Sequence, residues 1–327
     1  AACWQERARS PTSSPPTPSN SRSRRMLYRP LGRTGLNVSE IGFGAASWWG
    51  KPQFPESTAI GLVHAALDGG VTFLDTGASY SGGQAEPRLG RALRDRDASG
   101  LVIATKAGTL AAGGKIGRDF SPGAVVASAE QSLRNLGLEQ LGLLQLHGPS
   151  VAELTDELRD ALVGLKTRGL VRALGVNSFD PAVIEHVIEL PEFDAVMVDY
   201  NVLRPEREPL IARAAMAGKG VLAGMALAMG HTGFKVAKLR GRQDLWYAAR
   251  GLLRHSRDVR EGARFGFLND LAEMSGPQAA LAYVLANHDV SCAVIGTTRP
   301  GHLAENLGAS GMALPSAVLE RIRRQQR

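Results

Sequence analysis

From residue 27 onward the chain repeats one pattern eight times: a short apolar or β-branched run, then a longer amphipathic stretch. Such alternation specifies parallel βα units, because a parallel pair needs a crossover and an amphipathic helix supplies one that buries its own apolar stripe. Eight units close into a (β/α)8 TIM barrel more readily than they spread into a doubly wound sheet, which has fewer strands and edges to cover. A barrel of this kind uses about 250 residues. The 327 present therefore leave room for a tail and an insertion. The expected layout is a tail over residues 1–25 and a barrel over residues 26–327.

The apolar runs fall at residues 41–45, 72–75, 101–106, 141–147, 173–177, 195–200, 220–225 and 291–295. Helices are expected between and after them at 56–67, 85–94, 121–136, 151–167, from Pro181 behind an Asp180 cap, and at 208–217, 276–287 and 300–309. Start and stop signals support these bounds, such as the Ser121-Pro122 pair and the Gly69-Gly70 pair. A hairpin opens the fold, with residues 27–31 and 36–41 flanking Gly32, Arg33, Thr34 and Gly35. Residues 228–272 interrupt the alternation after the seventh strand. An irregular excursion of that length is usually functional, and one that follows a strand lies on the C-terminal face where barrels bind substrate.

The chain carries a net charge of +7, but Arg7, Arg9, Arg22, Arg24 and Arg25, opposed by Glu6 alone, place more than half of it in the tail. The remainder makes no stripe that tracks a phosphate backbone, so nucleic acid is not an expected partner. A membrane is not expected either, since no window approaches the roughly 18 consecutive apolar residues of a spanning helix. The segment SPTSSPPTPSNSRSRR has almost no apolar content and is expected to be disordered. Its Arg- and Ser-rich makeup matches a transit peptide. Met26 directly precedes the first structured segment, however, which favours translated upstream sequence. Cys3 and Cys292 are too few for a disulfide framework, so a reducing, cytoplasmic compartment is expected.

Three ionisable residues end otherwise apolar runs: Asp75 after TFL, Lys106 after LVIAT and His147 after LGLLQL. Tyr80 stands five residues beyond Asp75. In a barrel all four converge on one mouth, where a polar strand end reads as catalytic. Each also has a plain reading alone: Asp75 as a helix cap, Lys106 as a solvated strand end, His147 as a satisfied core histidine. Their coincidence with the eightfold pattern favours the site.

These residues sit in motifs that resemble the aldo-keto reductase superfamily: RPLGRTGLNVSEIGFG, FLDTGASYSGGQAEPRLGRAL, IATKAG, LLQLHGP, GVNSF, VDYN and GTTRPGHLAEN. The resemblance implies that Asp75, Tyr80, Lys106 and His147 form a catalytic tetrad for hydride transfer between a nicotinamide cofactor and a carbonyl. The chemistry explains the residue types. Hydride addition leaves an alkoxide-like oxygen that needs a proton, and a phenol with an ordinary pKa near 10 donates better beside a cation. No metal is required.

The cofactor, NADP(H) or NAD(H), lacks a G-x-G-x-x-G anchor here. GTLAAGGK near Gly108 has the wrong glycine spacing for a phosphate loop. The resemblance instead maps cofactor contacts onto Asn177, Ser178, Met225, Leu227, Gly296, Thr297, Thr298, Arg299, His302, Glu305 and Asn306. Arg299 is a candidate partner for a 2′-phosphate or else a solvated arginine. The family's strand-six glutamine corresponds to Met197, its strand-seven aromatic to Gly224, and a lysine of NADPH-selective members to Gly296, so cofactor choice stays open. Trp48, Trp49 and, in the excursion, Trp246 are candidate substrate contacts. The expected substrate is an aldehyde, ketone or aldose, interconverted with its alcohol or lactone, with a lean toward sugar-dehydrogenase-like members. The resemblance also admits a cofactor-binding regulatory subunit akin to potassium-channel β subunits, and sugar lyase or epimerase chemistry. The oligomeric state is not readable.

Overall fold

The eight apolar runs form eight parallel strands, and the last of them pairs with the first, so the sheet closes. The computed structural model describes residues 25–112, 115–228 and 256–327. The expected disorder of the tail up to residue 24, and the placing of Trp246, lie outside the described residues.

The chain begins with an antiparallel pair, β1 (Tyr28–Pro30) and β2 (Asn37–Ser39). β3 (Ile41–Gly44), α1 (Glu56–Asp68), β4 (Phe73–Asp75) and α2 (Ala85–Leu93) follow. After β5 (Val102–Ala107) comes a second antiparallel pair, β6 (Thr109–Ala112) and β7 (Lys115–Arg118), then α3 (Pro122–Leu136). Next are β8 (Leu141–His147), α4 (Asp156–Thr167), β9 (Val171–Asn177), α5 (Pro181–Ile188), β10 (Ala195–Asp199), α6 (Glu208–Met216) and β11 (Gly220–Gly224). The excursion ends in α7 (Ser256–Gly262) and a 3-10 segment (Ala263–Asp270). α8 (Gly276–Leu285), β12 (Cys292–Ile295), α9 (Pro300–Leu307) and α10 (Ser316–Gln326) complete the chain. The barrel order is β3-β4-β5-β8-β9-β10-β11-β12.

Both faces of the barrel sheet are dry, which is why its strands read as continuous apolar runs. Phe73, Leu143, Ala173, Met197 and Leu222 join one cluster, while their neighbours Leu74, Leu144, Leu174, Val196 and Val221 join another that includes the helices. The period of two along each strand makes the first cluster the barrel interior. Leu31, Leu36 and Val38 of the opening hairpin belong to that interior cluster. The hairpin closes the end where strands begin: the Arg33 amide donates to the Gly218 carbonyl at 2.9 Å. Gly220 permits the approach, since a Cβ there would lie 2.5 Å from Leu31 Cδ1. The C-terminal strand ends are left as the mouth.

Four expectations need correction. The helix expected over residues 151–167 is split into a turn at Val151–Glu153 and α4, because Ser150 and Thr155 each cap a start. Thr109–Ala112 and Lys115–Arg118, where no element was expected, pair as β6 and β7. Part of the excursion is regular, from Ser256 to Asp270. Finally, α10 follows the last expected helix; its Arg- and Gln-rich sequence buries Ile322 but offers only a narrow apolar stripe.

Candidate active site

Register brings the ionisable strand ends together. Parallel pairing sets Lys106 beside Gln145 and His147 beside Asn177, with Asp75 on the adjoining β4. Lys106 Nζ donates to both oxygens of Asp75 at 2.6 Å and to the Thr76 carbonyl at 2.8 Å. Its side chain is 0% exposed. A buried ammonium is tolerable only when its donors are met by charge and by oxygen lone pairs, and both are present. Gln145 Nε2 donates to Asp75 Oδ1 at 3.2 Å and holds the carboxylate from the side.

Tyr80 reaches this pair from the loop after β4. The Lys106 ammonium lies 4.8 Å from the Tyr80 ring centroid, and the ring meets His147 edge-on at 5.4 Å. Burial works against the Lys106 charge, but the Asp75 carboxylate and the Tyr80 hydroxyl outweigh it and hold its pKa above the ordinary lysine value. For Asp75, burial pushes the carboxyl above the ordinary carboxylate value, and Lys106 and Gln145 offset only part of that rise. Burial lowers His147 to about 4, with Lys106 and Arg118 adding repulsion. The imidazole is therefore neutral near pH 7, able to donate one hydrogen bond and accept one.

The backbone at this mouth is strained. Among the described residues, the four non-glycine residues at positive φ are Ser47, Ser81, Met225 and Ala228, at 57°, 56°, 56° and 46°. All follow C-terminal ends of barrel strands: β3, β4 and β11. Strained conformations of this kind collect at functional sites.

A family model described as the aldo/keto reductase family matches residues 40–326. The chain belongs to that family. It is similar to the uncharacterized oxidoreductase YqkF of Bacillus subtilis (strain 168), 26% identical over 87% of this chain and 91% of that protein. The L-galactose dehydrogenase of Arabidopsis thaliana is 28% identical over 86% of this chain and 87% of its own length. The solved holo form of the aldo-keto reductase AKR11C1 from Bacillus halodurans superposes with a TM-score of 0.76 at 25% identity, covering 92% of this chain and 97% of that one. As an aldo-keto reductase the chain is an NAD(P)-dependent oxidoreductase.

The residues mapped to the cofactor form an arc around the mouth of this reductase. Asn177 and Ser178 end β9, 8% and 5% exposed. Met225 and Leu227 follow β11. Gly296, Thr297, Thr298 and Arg299 join β12 to α9, which carries His302, Glu305 and Asn306. The donor set fits a nucleotide. Asn177 and Asn306 are 8% and 3% exposed as whole residues, but their carboxamide atoms, which make no hydrogen bond to another described residue, are not sealed from solvent. Each can therefore offer a donor and an acceptor to an incoming amide or adenine edge. Gly296, Arg299 and His302 are exposed, while Thr298 is buried.

Two candidate substrate contacts separate. Trp48 is half-buried. Trp49 is 1% exposed, donates to the Ala59 carbonyl at 3.1 Å and packs edge-on against Phe43, which makes it a core residue. Met197 is likewise packed inside the barrel, 3.4 Å from where a Cβ on Gly224 would stand.

Sequence reasoning passed over several residues that complete the site. Thr109 Oγ1 lies 2.7 Å from His147 Nδ1 and 3.0 Å from Ser79 Oγ. Arg118 donates to the Gly148 carbonyl and to Glu153, both at 2.9 Å. Thr109 and Arg118 belong to the β6–β7 hairpin, and the nearness of Thr109 to Lys106 in sequence was the available signal. A charged knot also ties α7 to the barrel: Arg204, after β10, contacts Asp199 at 3.6 Å, Glu261 of α7 at 3.6 Å, and Asp258 of α7.

Proposed function

We propose that this chain reversibly transfers hydride between a nicotinamide nucleotide and a small carbonyl compound, with Tyr80 as the proton donor and acceptor. The observation that carries the reading is the fully buried Lys106 ammonium, held by Asp75 and set against the Tyr80 ring. A cation held there favours the phenolate that remains when Tyr80 gives up its proton, so it eases proton transfer in both directions. Asp75 keeps the ammonium charged and in place. Neutral His147, edge-on to Tyr80, orients the carbonyl oxygen and polarises it by hydrogen bond. The bound nucleotide supplies or accepts the hydride. Asn177, Ser178, Met225, Leu227, Gly296, Thr297, Thr298, Arg299, His302, Glu305 and Asn306 would hold it, with the backbone N–H groups of Gly301 and His302 in the first turn of α9 available to phosphate.

The substrate we favour is an aldose or another small aldehyde or ketone. The family match and the likeness to an L-galactose dehydrogenase support that class. The test follows the absorbance of reduced nicotinamide with NADH, NADPH, NAD+ and NADP+ across aldehydes, ketones and aldoses. Multiple turnover with at least one carbonyl–alcohol or aldose–lactone pair is expected. Inactivity with every member, in folded protein shown to bind the nucleotide, would contradict the proposal.

A further inference from the structure

The polar chain behind His147 fixes more than its position. A neutral imidazole has two tautomers, and only the one with hydrogen on Nε2 can donate to a carbonyl oxygen if Nδ1 faces the protein. His147 Nδ1 does face the protein, 2.7 Å from Thr109 Oγ1, and Thr109 Oγ1 in turn lies 3.0 Å from Ser79 Oγ. Thr109 and Ser79 are 7% and 3% exposed, so bulk water does not satisfy them.

Counting hydrogens gives the chain a direction. Among the described residues the Ser79 hydroxyl has Thr109 as its hydrogen-bond partner. If Nδ1 carried the hydrogen, it would donate to Thr109, Thr109 would donate to Ser79, and the Ser79 hydrogen would be left buried without an acceptor. A stranded buried donor costs its full desolvation penalty. If Ser79 donates to Thr109 and Thr109 donates to Nδ1, every hydrogen is placed and Nε2 carries the ring hydrogen. Around the imidazole, Lys106 from β5 and Arg118 from β7 repel the doubly protonated ring and the Tyr80 ring meets it edge-on, so the ring is neutral and carries one hydrogen, which the count places on Nε2.

We propose that Thr109 is a positioning residue that fixes His147 in its Nε2–H tautomer through a one-way hydrogen-bond chain running from Ser79 to Thr109 to His147. The hairpin β6–β7 thereby serves the reaction, because it delivers Thr109 behind the imidazole. This rests on the role given to His147 under Proposed function, but its first test needs neither substrate nor nucleotide.

The full chain labelled with 15N-histidine is examined by long-range proton–nitrogen correlation, and His147 is picked out of the seven histidines by comparison with His147→Gln. Wild-type protein should show hydrogen on Nε2 and a bare, hydrogen-bonded Nδ1. Ser79→Ala should keep that tautomer, because Thr109 still donates. Thr109→Val, of the same shape but without the hydroxyl, should give a mixed population and lower kcat roughly 10- to 100-fold with KM little changed. Thr109→Ser should restore both. Hydrogen on Nδ1 in the wild type, a tautomer switch in Ser79→Ala, or wild-type nitrogen signals and kcat in Thr109→Val would each overturn the inference. The spectra alone decide it if Thr109→Val does not fold. Failure of the underlying reading would appear elsewhere, as absence of carbonyl turnover in a protein whose His147 signals are as expected.

Discussion

Lys106 and His147 answer burial in opposite ways. The lysine keeps its charge because Asp75 lies 2.6 Å away, whereas His147 has cations for neighbours and stays neutral down to about pH 4. That difference has a consequence for stability. The folded-state pKa of His147, about 4, is below its ordinary 6.5, so between those values the unfolded chain binds a proton that the folded chain refuses. The contribution is complete above the upper value and is lost as pH falls toward the lower one. Urea midpoints of wild type and His147→Gln, taken near neutral pH and at about pH 5, should show a steeper acid decline in the wild type. Equal declines would show that His147 is not held neutral. At this scale the clustering of Asp75, Lys106 and His147 was legible, because an ionisable residue ending an apolar run is conspicuous. Thr109 and Ser79 were not, since small hydroxyl residues outside any apolar run announce no partner until the backbone brings Nδ1 within reach.

The elements divide their work between the two ends of the barrel. The β1–β2 hairpin serves the closed end, where Leu31 is fully buried against Gly220. Leu31→Ala should cost about 2–5 kcal/mol in unfolding free energy. The folded fraction should keep wild-type kcat and KM, because the mouth is at the other end; altered kinetic constants would mean that the plug reaches the site. All eight barrel strands and most of the helices between them were readable, because each strand is apolar on both faces and several helices have a cap at the start or glycine at the stop. The β6–β7 hairpin escaped notice. Its second strand, Lys115–Arg118, is exposed throughout, and an exposed strand needs no apolar alternation to form. The same holds for α7, whose charge pattern is explained by its partner Arg204 in a distant loop.

For the molecule as a whole, the barrel brings together groups that lie far apart in sequence. Asp75, Lys106 and His147 come from three neighbouring strands, and the loops after β9, β11 and β12 ring the same mouth with the residues mapped to the nucleotide. This architecture was legible from the count of βα units. The substrate was not, because the loops at the mouth follow no period: Trp48 and Trp49 are adjacent, yet one is half-buried and the other belongs to the core. The same logic makes the reaction separable from the scaffold. Removing one hydroxyl at the mouth should stop the chemistry and leave the rest standing. The measurement that tests this most directly is steady-state turnover of Tyr80→Phe beside its nucleotide affinity, read by fluorescence titration. A fall in kcat of about 10²- to 10⁴-fold with near-normal affinity is predicted; near-normal turnover would contradict the assignment of Tyr80 as the proton donor.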